Sequence, residues 1–290
     1  MTKRWMRTID GQKPISLINI PGTHNSATRY IPFRYLCRCQ DKSITEQLVL
    51  GVRYLDLRIE LYKGGLKLVH SVIDCRPGPL SFKKLWLEDI VEECACFVRE
   101  NPSETVIMNF QTDDGKDLTG TSDVLYEKYI LKGPGLWFTE NRIPFLDECR
   151  GKLIFARRTP PPGKLMLEDR ISGINFFESR SEEKNQRLIR SLESGDVLFK
   201  AFIQDDYFVP PKKKWFDFVL PCLDEQRASE TSILINHLSA NNGFNSPKIT
   251  ARYVNKRFLR YELKKGEMYG IICADYITRQ ISEKIINSNE

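Results

Sequence analysis

Short apolar runs alternate with longer amphipathic stretches along the whole chain. The runs at 15–20, 51–60, 66–70, 105–110, 152–158, 196–203, 232–238 and 268–274 predict buried strands. Residues 81–100 carry apolar side chains at Leu85, Ile90, Cys94 and Phe97 and stop just before Pro102, which predicts a helix. Further helices are predicted at 122–131, at 182–194 (largely polar), within 215–227 despite Pro221, at 250–264 and at 278–287. Ser43 and Glu46 have the spacing of a capping box at the start of a short helix that feeds the strand at 51–60. Gly64 and Gly65 mark a turn between the second and third strands.

Strands and helices that alternate in this way indicate an α/β protein, and eight such strands suit a (β/α)8 TIM-type barrel. A doubly wound open sheet is the competitor, but no glycine-rich phosphate-binding fingerprint follows any strand. In a barrel the functional groups belong at the C-terminal strand ends. The predicted ends carry His24, Asp56 with Arg58, His70, Gln111, Arg158, Asp205 with Tyr207, His237 and Asp275.

The strand at 51–60 is the most informative. Residues two apart share a face, so Tyr54, Asp56 and Arg58 point the same way. A carboxylate and a guanidinium within an apolar strand form either a structural ion pair or an anion site. Histidines at the ends of the two neighbouring predicted strands favour the anion site. Two histidines and an arginine at one mouth suit cleavage of a phosphate ester. One imidazole would deprotonate a hydroxyl, the other would protonate the leaving alkoxide, and Arg58 would stabilise the phosphoryl oxygens. If the barrel closes, the last strand lies beside the first, which places Asp275 to orient His24. His237 is read as structural. A hard cation would want several carboxylates where Arg58 stands, so no metal and no cofactor is expected.

Composition narrows the partners. The 290 residues include 44 Lys and Arg against 38 Asp and Glu, a formal charge of +6 that permits an anionic partner. The window of about 18 apolar residues needed to span a membrane is not found, nor is a signal peptide visible at the N-terminus. The eight cysteines lack zinc-site spacing and read as reduced thiols, which favours a cytoplasmic location.

Three stretches, 21–26, 51–58 and 68–70, resemble the X-domain of phosphatidylinositol-specific phospholipases C. Residues 101–108, 203–207 and 270–277 resemble its small single-domain bacterial members. The resemblance implies one catalytic barrel domain over 1–290, irregular or incompletely closed. The implied activity is metal-independent conversion of phosphatidylinositol to diacylglycerol and inositol 1,2-cyclic phosphate. It also implies His24 as general base with Asp275 behind it, His70 as general acid, Arg58 as phosphate clamp and Asp56 as support for the histidine network. Arg158, Asp205 and Tyr207 match positions that hold the inositol ring. Asn25 stands where bacterial members usually have Asp, and Gln111 where they often have Lys. Two alternatives stay in view: the same chemistry on glycosylphosphatidylinositol anchors and, motivated by Asn25, Gln111 and the Ser71-Val72 that follows His70, a catalytically weak inositol-lipid-binding domain.

A lipid enzyme docks at a bilayer. Ile31, Phe33 and Tyr35 form one basic and aromatic segment with Arg34 and Arg38, and Lys212, Lys213, Lys214 and Trp215 form a second. Phe244 is a third candidate contact. Apolar side chains would insert while each basic residue near the surface contributes about 1 kcal/mol. The expected protein is a peripherally membrane-associated monomer with no obligate protein partner and no nucleic-acid partner.

Overall fold

The computed structural model describes residues 2–112, 118–133, 135–160, 172–177, 185–191, 194–243 and 245–290. Its strands are β1 (Ile20–Thr23), β2 (Tyr54–Tyr62), β3 (Gly65–His70), β4 (Ile73–Asp74), β5 (Val106–Gln111) and β6 (Trp137–Phe138). The remainder are β7 (Leu153–Arg157), β8 (Ile174–Asn175), β9 (Gln186–Arg190), β10 (Val197–Gln204), β11 (Ser232–His237) and β12 (Ile271–Ala274). The path β7-β5-β2-β1-β12-β11-β10 is parallel throughout. Both β6 and β8 add to the free edge of β7, β6 along its first half and β8 along its second. At the far end β9 runs antiparallel to β10. Among the described residues no strand pairing joins β8 to β9. The fold is therefore a distorted, incompletely closed TIM-type barrel. Across the open seam the Arg187 guanidinium donates to the Phe176 carbonyl.

The period of two along each strand separates two apolar layers. Ile20, Tyr54, Ile107, Ile154, Ala201, Ile203, Ile235, Ile271 and Cys273 fill the barrel interior. Their neighbours Leu55, Leu57, Met108, Phe110, Leu153, Phe155 and Ile272 pack outward. They meet Ile90, Cys94 and Phe97 of the helix Leu87–Glu100, and Ile281 and Ile285 of the helix Arg279–Asn287. Both helix starts are capped by a side chain. The Asp89 carboxylate accepts from the Trp86 N–H (3.4 Å), and the Thr278 hydroxyl accepts from the Ile281 N–H (3.3 Å). The predicted Ser43/Glu46 capping box is present at the helix Ile44–Val49.

Four expectations are corrected. Residues 15–17 form a 3-10 turn, and the first strand begins only at Ile20. The strand reaching His70 is not a barrel stave. Tyr62 pairs with Gly65 around a two-residue loop in which Lys63 (φ 48°) and Gly64 (φ 73°) are both left-handed. Such a loop folds β3 back antiparallel on β2, so His70 reaches the mouth on a hairpin. The helix predicted from Ser81 starts at Leu87. The polar helix predicted at 182–194 is replaced, over its described part, by the strand β9. A turn at Gly195 (φ 72°), closed by the Ser191 N–H to the Asp196 carbonyl (2.8 Å), pairs β9 with β10. All eight cysteines are free thiols.

Candidate active site

The interior-facing series of each strand ends in a polar residue at the mouth. Tyr54 leads to Asp56 and Arg58, and Ile107 through Asn109 to Gln111. Ile154 leads through Ala156 to Arg158, Ile203 to Asp205, Ile235 to His237, and Cys273 to Asp275. The alternation that fills the barrel thus aims these groups into one space above it.

His24 directly follows β1. Its N–H donates to the Ala274 carbonyl (3.2 Å), and its Nδ1 lies 2.8 Å from the Asp275 carboxylate. An ionised carboxylate only accepts, so Nδ1 carries the proton and Nε2 presents its lone pair. The Asn25 amide occupies that lone pair at 3.0 Å. Asn25 is left-handed (φ 45°), a conformation Asn tolerates better than most residues. Its backbone N–H donates to the Asp56 carboxylate (3.3 Å). Gln40 fixes the turn by donating to the carbonyls of His24 (3.0 Å) and Ala274 (2.8 Å).

The Arg58 guanidinium lies 3.5 Å from the Asp56 carboxylate, and Gln111 is its register partner on β5. Burial acts to raise the Asp56 pKa, but Arg58, then His24, His237 and Arg158, outweigh it and hold it at about 2. The His70 ring lies 6.5 Å from that of His24, nearly perpendicular to it. Its Nδ1–H donates to the Cys37 carbonyl (2.7 Å). On the far side Arg158 is ion-paired with Asp205. Burial opposes ionisation of Asp205, but Arg158 more than offsets it and keeps the carboxyl well below its usual range. Tyr207 stands at the rim, 67% exposed and edge-on to Phe208.

His237, read from sequence as structural, belongs to this constellation. It is buried, and its ring lies 5.9 Å from that of His24. The signal was available in its phase with the interior residues Ile233 and Ile235. Burial, with His24 next, pushes its pKa down to about 3 despite Asp56 and Asp205. A folded histidine that stays neutral loses stability as pH falls below its unfolded value of about 6.5, and has lost nothing above it. Wild type should therefore lose more stability between pH 7 and pH 4 than His237→Asn. The excess should reach at most about 1.4 kcal/mol per pH unit, read from urea midpoints.

The membrane candidates divide. Phe33 (71% exposed), Tyr35 (62%), Lys212 and Lys213 lie on the surface. Ile31 is buried because the turn Thr28–Tyr30 directs it into the core. Lys214 and Trp215 are also buried. They lie three and four residues after Pro211, on the inner face of the helical stretch that opens there. The Lys214 ammonium donates to the Gln204 side chain (2.7 Å) and the Asp206 carbonyl (2.8 Å), bracing the turn that carries Asp205. Burial pulls its pKa down to about 7. Phe244 lies outside the described residues.

An imidazole–carboxylate pair, a second imidazole and a guanidinium at the mouth of an open barrel define the class of a phosphodiester-cleaving enzyme. Comparison with known proteins agrees. Residues 13–159 match the model of the phosphatidylinositol-specific phospholipase C X domain, and the chain belongs to that family. It is 25% identical to the 1-phosphatidylinositol phosphodiesterase of Listeria monocytogenes, over 100% of this chain and 86% of that protein. It is 24% identical to the 1-phosphatidylinositol phosphodiesterase of Staphylococcus aureus (strain Newman), over 99% of this chain and 94% of that protein. The solved phosphatidylinositol-specific phospholipase C of Listeria monocytogenes superposes with a TM-score of 0.77 at 22% identity, covering 100% of this chain and 99% of that one. A pentafluoro-Phe-incorporated phosphatidylinositol-specific phospholipase C from Staphylococcus aureus superposes with a TM-score of 0.81 at 21% identity, covering 100% of this chain and 98% of that one.

Proposed function

We propose that this chain is a phosphatidylinositol-specific phospholipase C that releases diacylglycerol and inositol 1,2-cyclic phosphate without a metal. The observation that carries this reading is the His24–Asp275 pair (2.8 Å) facing His70 across the Asp56–Arg58 strand. His24 Nε2 takes the proton of the inositol 2-hydroxyl, which replaces the Asn25 amide as its partner. The alkoxide attacks phosphorus, and the bond to the diacylglycerol oxygen breaks. Protonated His70 supplies that oxygen's proton while Arg58 balances charge on the phosphoryl oxygens. Arg158 and Asp205 meet the ring hydroxyls as donor and acceptor, and Tyr207 covers the ring face. All these groups come from one barrel, so we assign the whole activity to a single domain.

A headgroup comparison tests the reading. Vesicles of phosphatidylinositol should yield diacylglycerol with a chelator present, and vesicles of phosphatidylcholine should not. Equal release from both would contradict it. A second reading, an inositol-lipid-binding domain with weak turnover, is supported by the Asn25 amide on the base nitrogen (3.0 Å). It predicts vesicle binding with no product.

Docking would use the exposed apolar rim at Phe33, Tyr35, Leu36, Phe208 and Phe216, with Lys212 and Lys213 attracting anionic lipid. Fully burying one such side chain contributes about 1.5–3 kcal/mol. Phe33→Ser with Leu36→Ser should therefore weaken partitioning onto anionic vesicles by roughly tenfold or more. Vesicle co-sedimentation checks this, and hydrolysis of a soluble inositol cyclic phosphate should be spared.

A further inference from the structure

We infer that His24, Cys39 and Asp275 form an inhibitory site for a soft divalent cation of the zinc class. One donor atom from each lies within 4.8 Å of the others. Thiolate, imidazole and carboxylate together are a zinc-type ligand set, whereas a hard cation such as calcium takes oxygen donors. The thiol is fixed in place. The Cys39 N–H donates to the Thr28 hydroxyl (3.0 Å), and its carbonyl accepts from the Tyr276 N–H (2.7 Å). Cys39 is only 1% exposed, but His24 keeps 18% of its side chain open to the mouth, which gives an ion its approach.

A second feature converges on the same place. The Asn25 amide sits on the His24 Nε2 (3.0 Å), and its Oδ1 is buried without a hydrogen bond. When the ion binds between Asp275 and His24 Nδ1, the Cys39 S–H bond breaks and its proton passes to solvent, the imidazole proton shifts from Nδ1 to Nε2, and the freed sulfur and nitrogen lone pairs go to the metal. No electron is transferred. The ion engages the proposed base and its carboxylate, so it would stop proton abstraction without entering the reaction.

The binding test is independent of catalysis, while the inhibition test rests on His24 being the base. Cobalt(II) serves as a spectroscopic probe of binding. It is titrated into the full chain carrying Cys96→Ser, which removes the exposed thiol. One ion per chain is expected, with a thiolate-to-cobalt charge-transfer band that disappears when Cys39→Ser is added. In the rate assay, zinc should inhibit the Cys96→Ser protein, and calcium at the same concentration should not. Adding Cys39→Ser should raise the half-inhibiting zinc concentration by about tenfold or more relative to that variant's own metal-free rate. A charge-transfer band that survives Cys39→Ser, its absence from the Cys96→Ser protein, or an unchanged zinc response would each overturn the inference. The cobalt spectrum of the Cys96→Ser protein needs no folded Cys39 variant.

Discussion

Replacing His24 with alanine should lower the rate of phosphatidylinositol cleavage by roughly 10²–10⁴-fold. His70→Ala should cost a similar factor, but the two losses differ in kind. In the proposed mechanism His24 removes a proton from the attacking hydroxyl, so its loss would be felt whatever group departs. In the same mechanism His70 delivers a proton to the leaving oxygen. A substrate whose leaving group is an acidic phenol needs no such proton, so it should recover most of the His70→Ala loss and little of the His24→Ala loss. Steady-state rates on the natural lipid and on an aryl ester of inositol 1-phosphate check this. Equal recovery in both variants would reverse or dissolve the assignment. The His70 Nδ1 partner is a neutral carbonyl, that of Cys37 (2.7 Å), whereas His24 has a carboxylate (2.8 Å).

Glu104→Ala should destabilise the fold by about 3–5 kcal/mol. Arg53, immediately before β2, is wholly buried, and its guanidinium donates to Glu104 through Nε (3.1 Å) and Nη2 (2.7 Å). It also donates to the carbonyls of Leu48 (2.9 Å), Val52 (2.8 Å) and Lys3 (2.7 Å). One side chain thus ties the N-terminal turn and the helix Ile44–Val49 to the closed end of the barrel. Without Glu104 its charge would be buried and unpaired. Replacing both partners with apolar residues of similar volume should cost less than Glu104→Ala alone. Urea denaturation of the single and double variants measures the difference. A loss near zero for the single variant would mean that the carbonyls suffice.

One short motif can hold both a charge that serves the fold and charges placed at the site. The stretch 51–58 holds both Arg53 and the pair Asp56 and Arg58. Residue type alone does not say which charge serves the fold and which the chemistry. Phase along the strand does, because Tyr54, Asp56 and Arg58 lie on one face and end at the mouth. Position at the predicted C-terminal strand ends made the His24, Arg158, Asp205 and Asp275 positions legible. The period of two would also have brought in His237, had its phase been weighed above its residue type.

The misreadings have local causes. The loop between β2 and β3 has only two residues, too short for the crossover that a parallel strand requires. Its length should have counted against His70 ending a stave. Residues 186–190 are polar enough to read as a surface helix, and their strand conformation is imposed by pairing with β10. The run of lysines at 212–214 looks uniform in sequence, yet the helical turn from Pro211 separates exposed Lys212 and Lys213 from buried Lys214. Contacts made across the fold, such as the Cys37 carbonyl on His70 and the Cys39 thiol beside His24, carry no local signature at all.

The central claim is transfer of phosphorus to the inositol ring itself by His24, His70 and Arg58, without a metal. Phosphorus NMR of phosphatidylinositol vesicles digested by the full chain, with a calcium and zinc chelator present, tests it most directly. The account predicts inositol 1,2-cyclic phosphate as the first product, formed before any inositol 1-phosphate. A first product of acyclic inositol 1-phosphate, or a reaction that waits for added calcium, would contradict it.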